Sequence, residues 1–390
     1  MTTRAFDVAV IGGGLVGSWT AFFLARRGVR VALVEKSTVG AQSSGVNFGN
    51  LRLQGRHPTQ YPLSLRSHAI WEQLEQLVGE SCEFSATGHL YLALDAAEAE
   101  KLEAHARAGE SHGLAIERLD RDAACRRWPF LAPVVHAATW SARDATANPR
   151  LVTPVVARAA SRLGATVIQN CRVTGVDRRE GRFSLATDLG LTVTARQVVN
   201  AAGAWAVDIA RNFGESAPVF PAGPPQFVTE PLPYRIVPSM QTIDGSVICR
   251  QIPRGNVIVA GYPRTASDPV GNRAPVPPSK TLNTMAHLRR LVPSLAAAHV
   301  IRVWSGIEGY LPDMLPVIGE SAAAPGLFHA FGFCGHGFQI GPGVGATLSD
   351  LIVDGHTKTP LAACSIARFD KPVVADDKWA REFDTAPRTT

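Results

Sequence analysis

The sequence predicts an α/β fold: a mostly parallel sheet domain, interrupted by an inserted α+β domain on a mixed or antiparallel sheet. Three observations carry this. Residues 7–36, DVAVIGGGLVGSWTAFFLARRGVRVALVEK, spell a buried strand, a glycine turn, a helix and a second strand. Gln197–Asn200 is another buried strand, ending in small residues (Ala201, Ala202, Gly203, Ala204) before a helix. Leu327–Ala330 is a third, and opens a glycine-rich run, Gly332 to Gly343, that leads into a helix. The texture changes between these stretches. The first domain is therefore assigned residues 1–85, 146–215 and 301–362, and the inserted domain residues 86–145 and 216–300. Residues 363–390 form a tail.

The elements follow in order. Asp7–Ile11 is short, and after Asp7 it is apolar throughout, as a strand covered on both faces must be. Gly28 stops the first helix, Val29–Val34 is the second strand, and Glu35 ends it. Lys36–Arg56 is polar and glycine-rich, which predicts a loop with a short helix beginning near Ser43 or Ser44. Pro62–Val78 reads as one helix, with Leu63, Leu65, Ile70, Leu74 and Leu77 on its apolar side. A strand at His89–Leu94 and a helix at Ala96–Gly113 open the inserted domain. Asn148 and Pro149 start a helix over Leu151–Arg162, which Gly164 terminates. Short strands follow at Thr166–Gln169, Cys171–Val176, Phe183–Thr187 and Leu191–Ala195, and the helix Ala206–Phe213 follows Trp205. Gly245–Gln251 and Asn256–Tyr262 pair as a hairpin, and Leu282–Leu291 is a helix. Ile301–Trp304 begins the third block of the first domain, and Val344–Val353 is its closing helix. Beyond Arg368 the chain predicts a surface arm or frayed end.

The first unit also carries chemistry. Gly12, Gly14 and Gly17 form GxGxxG at the strand-to-helix turn, where backbone can approach a pyrophosphate at a helix N-terminus. Glu35 then stands where a carboxylate binds both hydroxyls of a ribose. Together they predict a Rossmann-like domain of the glutathione-reductase type holding an adenine dinucleotide. In the second glycine run, Gly341, Gly343 and Gly345 can turn backbone N–H groups toward an electron-rich oxygen, as in a reduced flavin. Cys334 beside His336 invites a thiol-nucleophile reading, against a plain buried cysteine. His336, bracketed by glycines, either meets cofactor and substrate or makes a structural hydrogen bond.

Composition excludes several classes. The chain is 46% apolar and 18% charged, with a net charge of +6. Its basic residues are scattered, without a basic and aromatic stripe, so nucleic-acid binding has no specific support. The six cysteines contain no CxxC, which argues against a zinc or iron–sulfur site within this chain and for free thiols in a reducing, cytoplasmic setting. Val8–Ala25 has the length of a membrane span, but its glycines and the lack of a convincing cleavage signal favour a buried strand and helix.

The chain resembles the D-amino-acid-oxidase-like (DAO) superfamily of FAD-dependent oxidoreductases over residues 5–355. The matching motifs are the GxGxxG unit, Ser43–Ser44–Gly45, Asn148–Pro149 and Val199 to Trp205. Pro312–Asp313 with Pro316 to Gly319, and Gly335–His336–Gly337–Phe338, complete them. Gln226 to Pro231 and Arg250–Gln251 are most similar to catalytic beta-type subunits of heteromeric hydroxyproline, opine and proline dehydrogenases and of hydrogen cyanide synthase. The resemblance implies that Gly12, Gly14, Gly17, Glu35 and Lys36 hold the ADP half of FAD, with Val173 by the adenine. Ser43, Ser44, Gly45, Asn47 and Gly49 would run toward pyrophosphate and flavin, and Ala202 and Gly203 would close the ribityl side. Gly306, Gly335, Gly337, Phe338 and Gln339 would surround the isoalloxazine ring.

It implies further that FAD is non-covalent, because Ile301–Leu311 lacks the linking cysteine of sarcosine-oxidase-type relatives. Those relatives place a lysine where Gln339 stands, to bind the substrate carboxylate. Arg52, Arg302 and Arg250 are the candidate replacements and Tyr310 a further substrate-binding residue, with His336 and Gln339 as catalytic residues. The expected activity is dehydrogenation of a C–N bond in an amino acid or N-substituted amino acid. Electrons would pass to alpha-type and small partner subunits, with FMN and an iron–sulfur centre held by or between them. Any membrane association would then be peripheral, through the electron acceptor. The alternatives are an oxidase using O₂, which the absence of lysine from Leu232 to Pro278 argues against, and a non-catalytic flavoprotein scaffold.

Overall fold

The computed structural model describes residues 2–384; the end of the tail, with Thr389 and Thr390, lies outside the described residues. The central sheet has six strands in the order Val317–Glu320, Leu327–Phe331, Gln197–Asn200, Val8–Ile11, Val31–Val34, Thr166–Ile168. Val8 faces Gln197 on one side and Val31 on the other, both in parallel register. Only the pair Val317–Glu320 and Leu327–Phe331 runs antiparallel.

The uniform hydrophobicity of Val8–Ile11 has a two-sided cause. Val8 and Val10 pack with the helices Leu15–Arg26, Pro149–Arg162 and Gly337–Asp354. Ala9 and Ile11 point the other way, into a cluster with Phe183, Leu185 and Val193. Those three belong to a four-stranded sheet of Thr2–Ala5, Leu191–Ala195, Arg182–Thr187 and Val173–Arg179 that covers the second face. A period of two along a strand requires this separation.

The inserted domain is built on an eight-stranded sheet. Its order is Val300–Trp304, Gln226–Pro231, Asn256–Ala260, Ile248–Gln251, Ser239–Thr242, His89–Ala93, Ala137–Ser141, Glu117–Asp120. The sheet is mixed, since Ser239–Thr242 and His89–Ala93 pair in parallel and the rest are antiparallel. The expected hairpin is present, with Ile248 opposite Ala260.

Four expectations are corrected. Val300–Trp304 does not open the third block of the nucleotide domain; it is an edge strand of the eight-stranded sheet, paired to Gln226–Thr229. The span from Pro62 to Val78 is two helices, Tyr61–Trp71 and Leu74–Val78, broken at Gln73, whose backbone leaves the helical region. The closing helix starts at Gly337, not Val344, and continues through Pro342 to Asp354. Its glycines serve packing: an added Cβ would lie 2.8 Å from Leu15 at Gly341, 2.8 Å from the Leu63 carbonyl at Gly343, and 2.7 Å from Trp19 at Gly345. They let this helix lie on two others, so they do not aim N–H groups at a flavin. Finally, the tail to Asp384 is no frayed arm. Trp379 and Phe383 are buried against Phe220 and Tyr310.

Candidate active site

A cavity of about 710 Å³ begins at the first glycine turn and extends into the inserted domain. Gly12, Gly14, Glu35 and Val173 line one end; Tyr262, Arg264 and Glu308 line the other. Such a volume suits a small-molecule or cofactor site.

The three turn glycines have three different reasons. Gly12 has φ +106°, and a Cβ there would lie 2.4 Å from the Ala201 carbonyl oxygen. At Gly17 a Cβ would strike the Gly12 carbonyl at 2.0 Å. Gly14 has only the Ser44 hydroxyl nearby, at 3.0 Å, and faces the cavity. The first two are fixed by the fold, while Gly14 keeps space open for whatever occupies the cavity.

Glu35 is buried, accepting from Gly13 N–H at 2.6 Å and from Ser37 N–H at 2.8 Å. Lys36 lies 3.0 Å from the centroid of the Trp205 ring across the same cavity, and burial lowers its pKa to about 8. The Ser44 hydroxyl accepts from Leu15 N–H at 2.8 Å, tying the Ser43–Val46 helix to the start of the first long helix. Ser43, Asn47, Gly49, Ala202 and Gly203 line the middle, and Gly335, Gly337 and Phe338 the wall beyond. Gly45 and Gly306 do not reach it; a Cβ on either would meet Gly40 or Val46, at 2.2 and 2.3 Å. An acidic group at a strand end, an open glycine at a helix start and a glycine-lined far wall fit an adenine dinucleotide extending toward the inserted domain.

At the far end stands Arg264, 3% exposed, between two aromatic rings. Its guanidinium carbon is 4.1 Å from the Tyr262 centroid and 4.7 Å from that of Tyr310. Burial opposes its charge, but Tyr262, Tyr310 and Glu382 outweigh that and hold its pKa well above the usual arginine value. Its Nη2 lies 3.2 Å from where a Gly335 Cβ would be. Nη1 pairs with Glu382, while Nε has no partner among the described residues. Glu308 lies on the same wall and accepts from the Tyr310 hydroxyl; burial raises its pKa against that bond and Arg264.

The substrate residues expected from sequence are placed differently. Arg302 is exposed on the edge strand, and its side chain does not line the cavity. Arg52 is buried beside the cavity, donating to the Gln54 carbonyl and lying 5.3 Å from the Tyr91 ring centroid. Arg250 is buried behind Gly49, 5.5 Å from the Phe48 ring centroid. Tyr310 reaches the site through Glu308. Gln339 faces away: its side-chain amide donates to the Ser64 carbonyl, and its main-chain carbonyl accepts from the Ser67 hydroxyl and the Trp71 indole N–H. It is a packing residue at the third position of its helix, and the catalytic role expected of it is withdrawn. His336 stands near a cluster of cations. Burial and then Arg56, Lys378, Arg52 and Arg264 push its pKa well below 6.5, so its ring is neutral.

Cys334 donates to the Gly332 carbonyl, and burial raises its thiol pKa to about 12, which removes the nucleophile reading. Sequence reasoning missed Tyr262, Arg264 and Glu308. Glu308 carried a usable signal, since glycines bracket it closely, as they do His336; nothing local marks Arg264.

Residues 7–351 match the family described as FAD dependent oxidoreductase, DAO. The chain belongs to this family. It is 30% identical over 376 residues to a glycine oxidase of Geobacillus kaustophilus, covering 94% of this chain and 98% of that protein. It is 28% identical over 386 residues to a sarcosine oxidase subunit beta of Rhizobium meliloti, covering 96% and 90%. A crystal structure of L-proline dehydrogenase from P. horikoshii superposes with a TM-score of 0.88 at 26% identity, covering 95% and 99%. Like its family, the chain is an FAD-dependent oxidoreductase acting on the C–N bond of an amino-acid or amine substrate. These relatives include an oxidase, a subunit and a dehydrogenase, so the likeness does not single out the partner-dependent branch. Among the described residues, no cluster of three or more His, Cys, Asp or Glu could hold a metal ion, and no helix is long and apolar enough to cross a membrane.

Proposed function

We propose that this enzyme oxidises a small amino acid or N-substituted amino acid whose carboxylate is bound by Arg264, and that O₂ is its electron acceptor. The observation that carries the substrate class is the buried guanidinium on the cavity wall, with its Nη2 beside Gly335. A planar fork of this kind is matched to a carboxylate. The rings of Tyr262 and Tyr310 pack against it. Glu308, on the same wall, accepts a hydrogen bond from the substrate amine and orients its α-carbon. His336, between the lining residues Gly335 and Gly337, stays neutral and adds no charge. Bound FAD, held non-covalently by the residues above, supplies the hydride acceptor for the α C–H, leaving an imine that water hydrolyses. Flavin retained in an acid precipitate would contradict the non-covalent reading.

The acceptor assignment rests on the nearly full-length likeness to glycine oxidase. A second reading keeps the partner-linked dehydrogenase, with FMN and an iron–sulfur centre on other subunits. Its support is the likeness to sarcosine oxidase subunit beta. Lys280 fits that reading as well: its ammonium donates to the Pro263 carbonyl and pairs with Asp384, away from the cavity wall. An oxygen electrode separates the two. Stoichiometric O₂ uptake and H₂O₂ release by the FAD-loaded chain alone are expected. Turnover with a dye acceptor and none with O₂ would favour the second reading.

A further inference from the structure

The C-terminal segment puts a carboxylate of its own on the residue that is to bind the substrate's. Asp376–Asp384 packs against Arg264, which lines the substrate end of the cavity. Its backbone is fixed to Arg264 on both sides, by Arg264 N–H to the Glu382 carbonyl at 2.7 Å and Asp384 N–H to the Arg264 carbonyl at 3.0 Å. Trp379 and Phe383 anchor it, with Phe383 5.0 Å from the Tyr310 ring centroid and 5.4 Å from that of Phe220. Between these anchors Glu382 pairs with Arg264 Nη1; the two side chains are 13% and 4% exposed.

We infer that Glu382 is a resident carboxylate, occupying Arg264 in the ligand-free chain and yielding to the substrate carboxylate. The inference rests on the assignment of Arg264 as the carboxylate site. Two carboxylates around one guanidinium repel in a medium of low dielectric. An incoming anion therefore binds fully only as the Glu382 side chain swings off, and Trp379 and Phe383 keep the segment attached meanwhile. The segment thus lowers affinity for every carboxylate by a common factor. It also keeps the buried guanidinium paired when no substrate is present, which an empty site would not. A neutral ligand meets no such competition.

The test uses the FAD-loaded full-length chain and acetate, read by the change in flavin absorbance, with acetamide as the neutral control. Glu382→Gln keeps a hydrogen-bonding side chain and removes the charge. It is expected to tighten acetate binding by about tenfold, through the larger fraction of competent sites, and to leave acetamide unchanged. Glu382→Asp, which keeps the charge, should stay close to the parent. Acetate affinity within twofold of the parent in Glu382→Gln overturns the inference. Arg264→Lys distinguishes the two layers. If it leaves acetate binding unchanged, the assignment of Arg264 itself fails. If it weakens acetate while Glu382→Gln does nothing, that assignment stands and the resident-carboxylate inference falls.

Discussion

Replacing Arg264 with lysine is expected to lower kcat/KM for carboxylate-bearing amines by roughly 10²- to 10³-fold, with full FAD occupancy. Removing one partner of a buried, hydrogen-bonded charge pair costs about 2–5 kcal/mol, and each 1.4 kcal/mol is about tenfold. Lysine keeps the charge that Glu382 and Glu308 face, so the fold is spared an uncompensated buried carboxylate. It loses the planar fork and the contact of that fork with the Tyr262 and Tyr310 rings. The loss should therefore fall mainly on KM, because the carboxylate is held in the bound substrate as it is in the transition state and takes no part in the bond that is broken. Steady-state kinetics with flavin absorbance at each preparation measures it. A change below threefold would remove Arg264 from the substrate site.

The second large effect separates two glycines of one motif. Gly17→Ala is expected to cost at least about 4 kcal/mol of stability or to give no soluble protein, because its Cβ would sit 2.0 Å from the Gly12 carbonyl oxygen. Backbone cannot yield there without moving the strand-to-helix turn. At Gly14 a Cβ meets only the Ser44 hydroxyl oxygen, at 3.0 Å, so Gly14→Val costs at most the Leu15 N–H bond to that oxygen and the apoprotein should fold. It projects instead into the cavity and should weaken FAD binding by roughly 100-fold, the scale of overpacking a fitted site. Thermal melts of the apoproteins and flavin titrations give both numbers. Equal loss of folding in the two variants would show that Gly14 is structural.

The nucleotide half of the site is legible in the sequence because its constraints are local. The strand, the turn glycines, the helix and Glu35 are consecutive, and each is dictated by backbone geometry that a short window displays. The central strands are equally visible, since burial on two faces leaves an unbroken apolar run. The later glycine run misleads for a related reason. Glycine serves close approach of any kind, and sequence does not say whether a cofactor or another helix approaches. Gly335 and Gly337 face the cavity, whereas Gly341, Gly343 and Gly345 face Leu15, the Leu63 carbonyl and Trp19.

The substrate half is hidden because it is assembled from distant pieces. Arg264 follows a short strand of the inserted domain, Glu308 and Tyr310 come from the stretch before Pro312, and Glu382 from the tail. Nothing in the spacing of these residues joins them. Arg302 looks suitable by its closeness in sequence to the cofactor motifs. Its strand belongs to the edge of the other sheet, and a residue's neighbours in space are set by that pairing. Gln339 stands next to Phe338 in sequence, but in the helix it turns toward Tyr61–Trp71.

The central claim is that this cavity holds FAD and brings the α C–H of a carboxylate-bearing amine to it. Anaerobic mixing of the FAD-loaded chain with glycine, sarcosine, proline, hydroxyproline and opines, followed by flavin absorbance in a stopped-flow cell, tests it most directly. The account predicts full bleaching by at least one of these, slowed when the substrate α-hydrogen is deuterium, and no bleaching by the matching amine without a carboxylate. Bleaching by the amine that lacks the carboxylate, at the same rate, would contradict it.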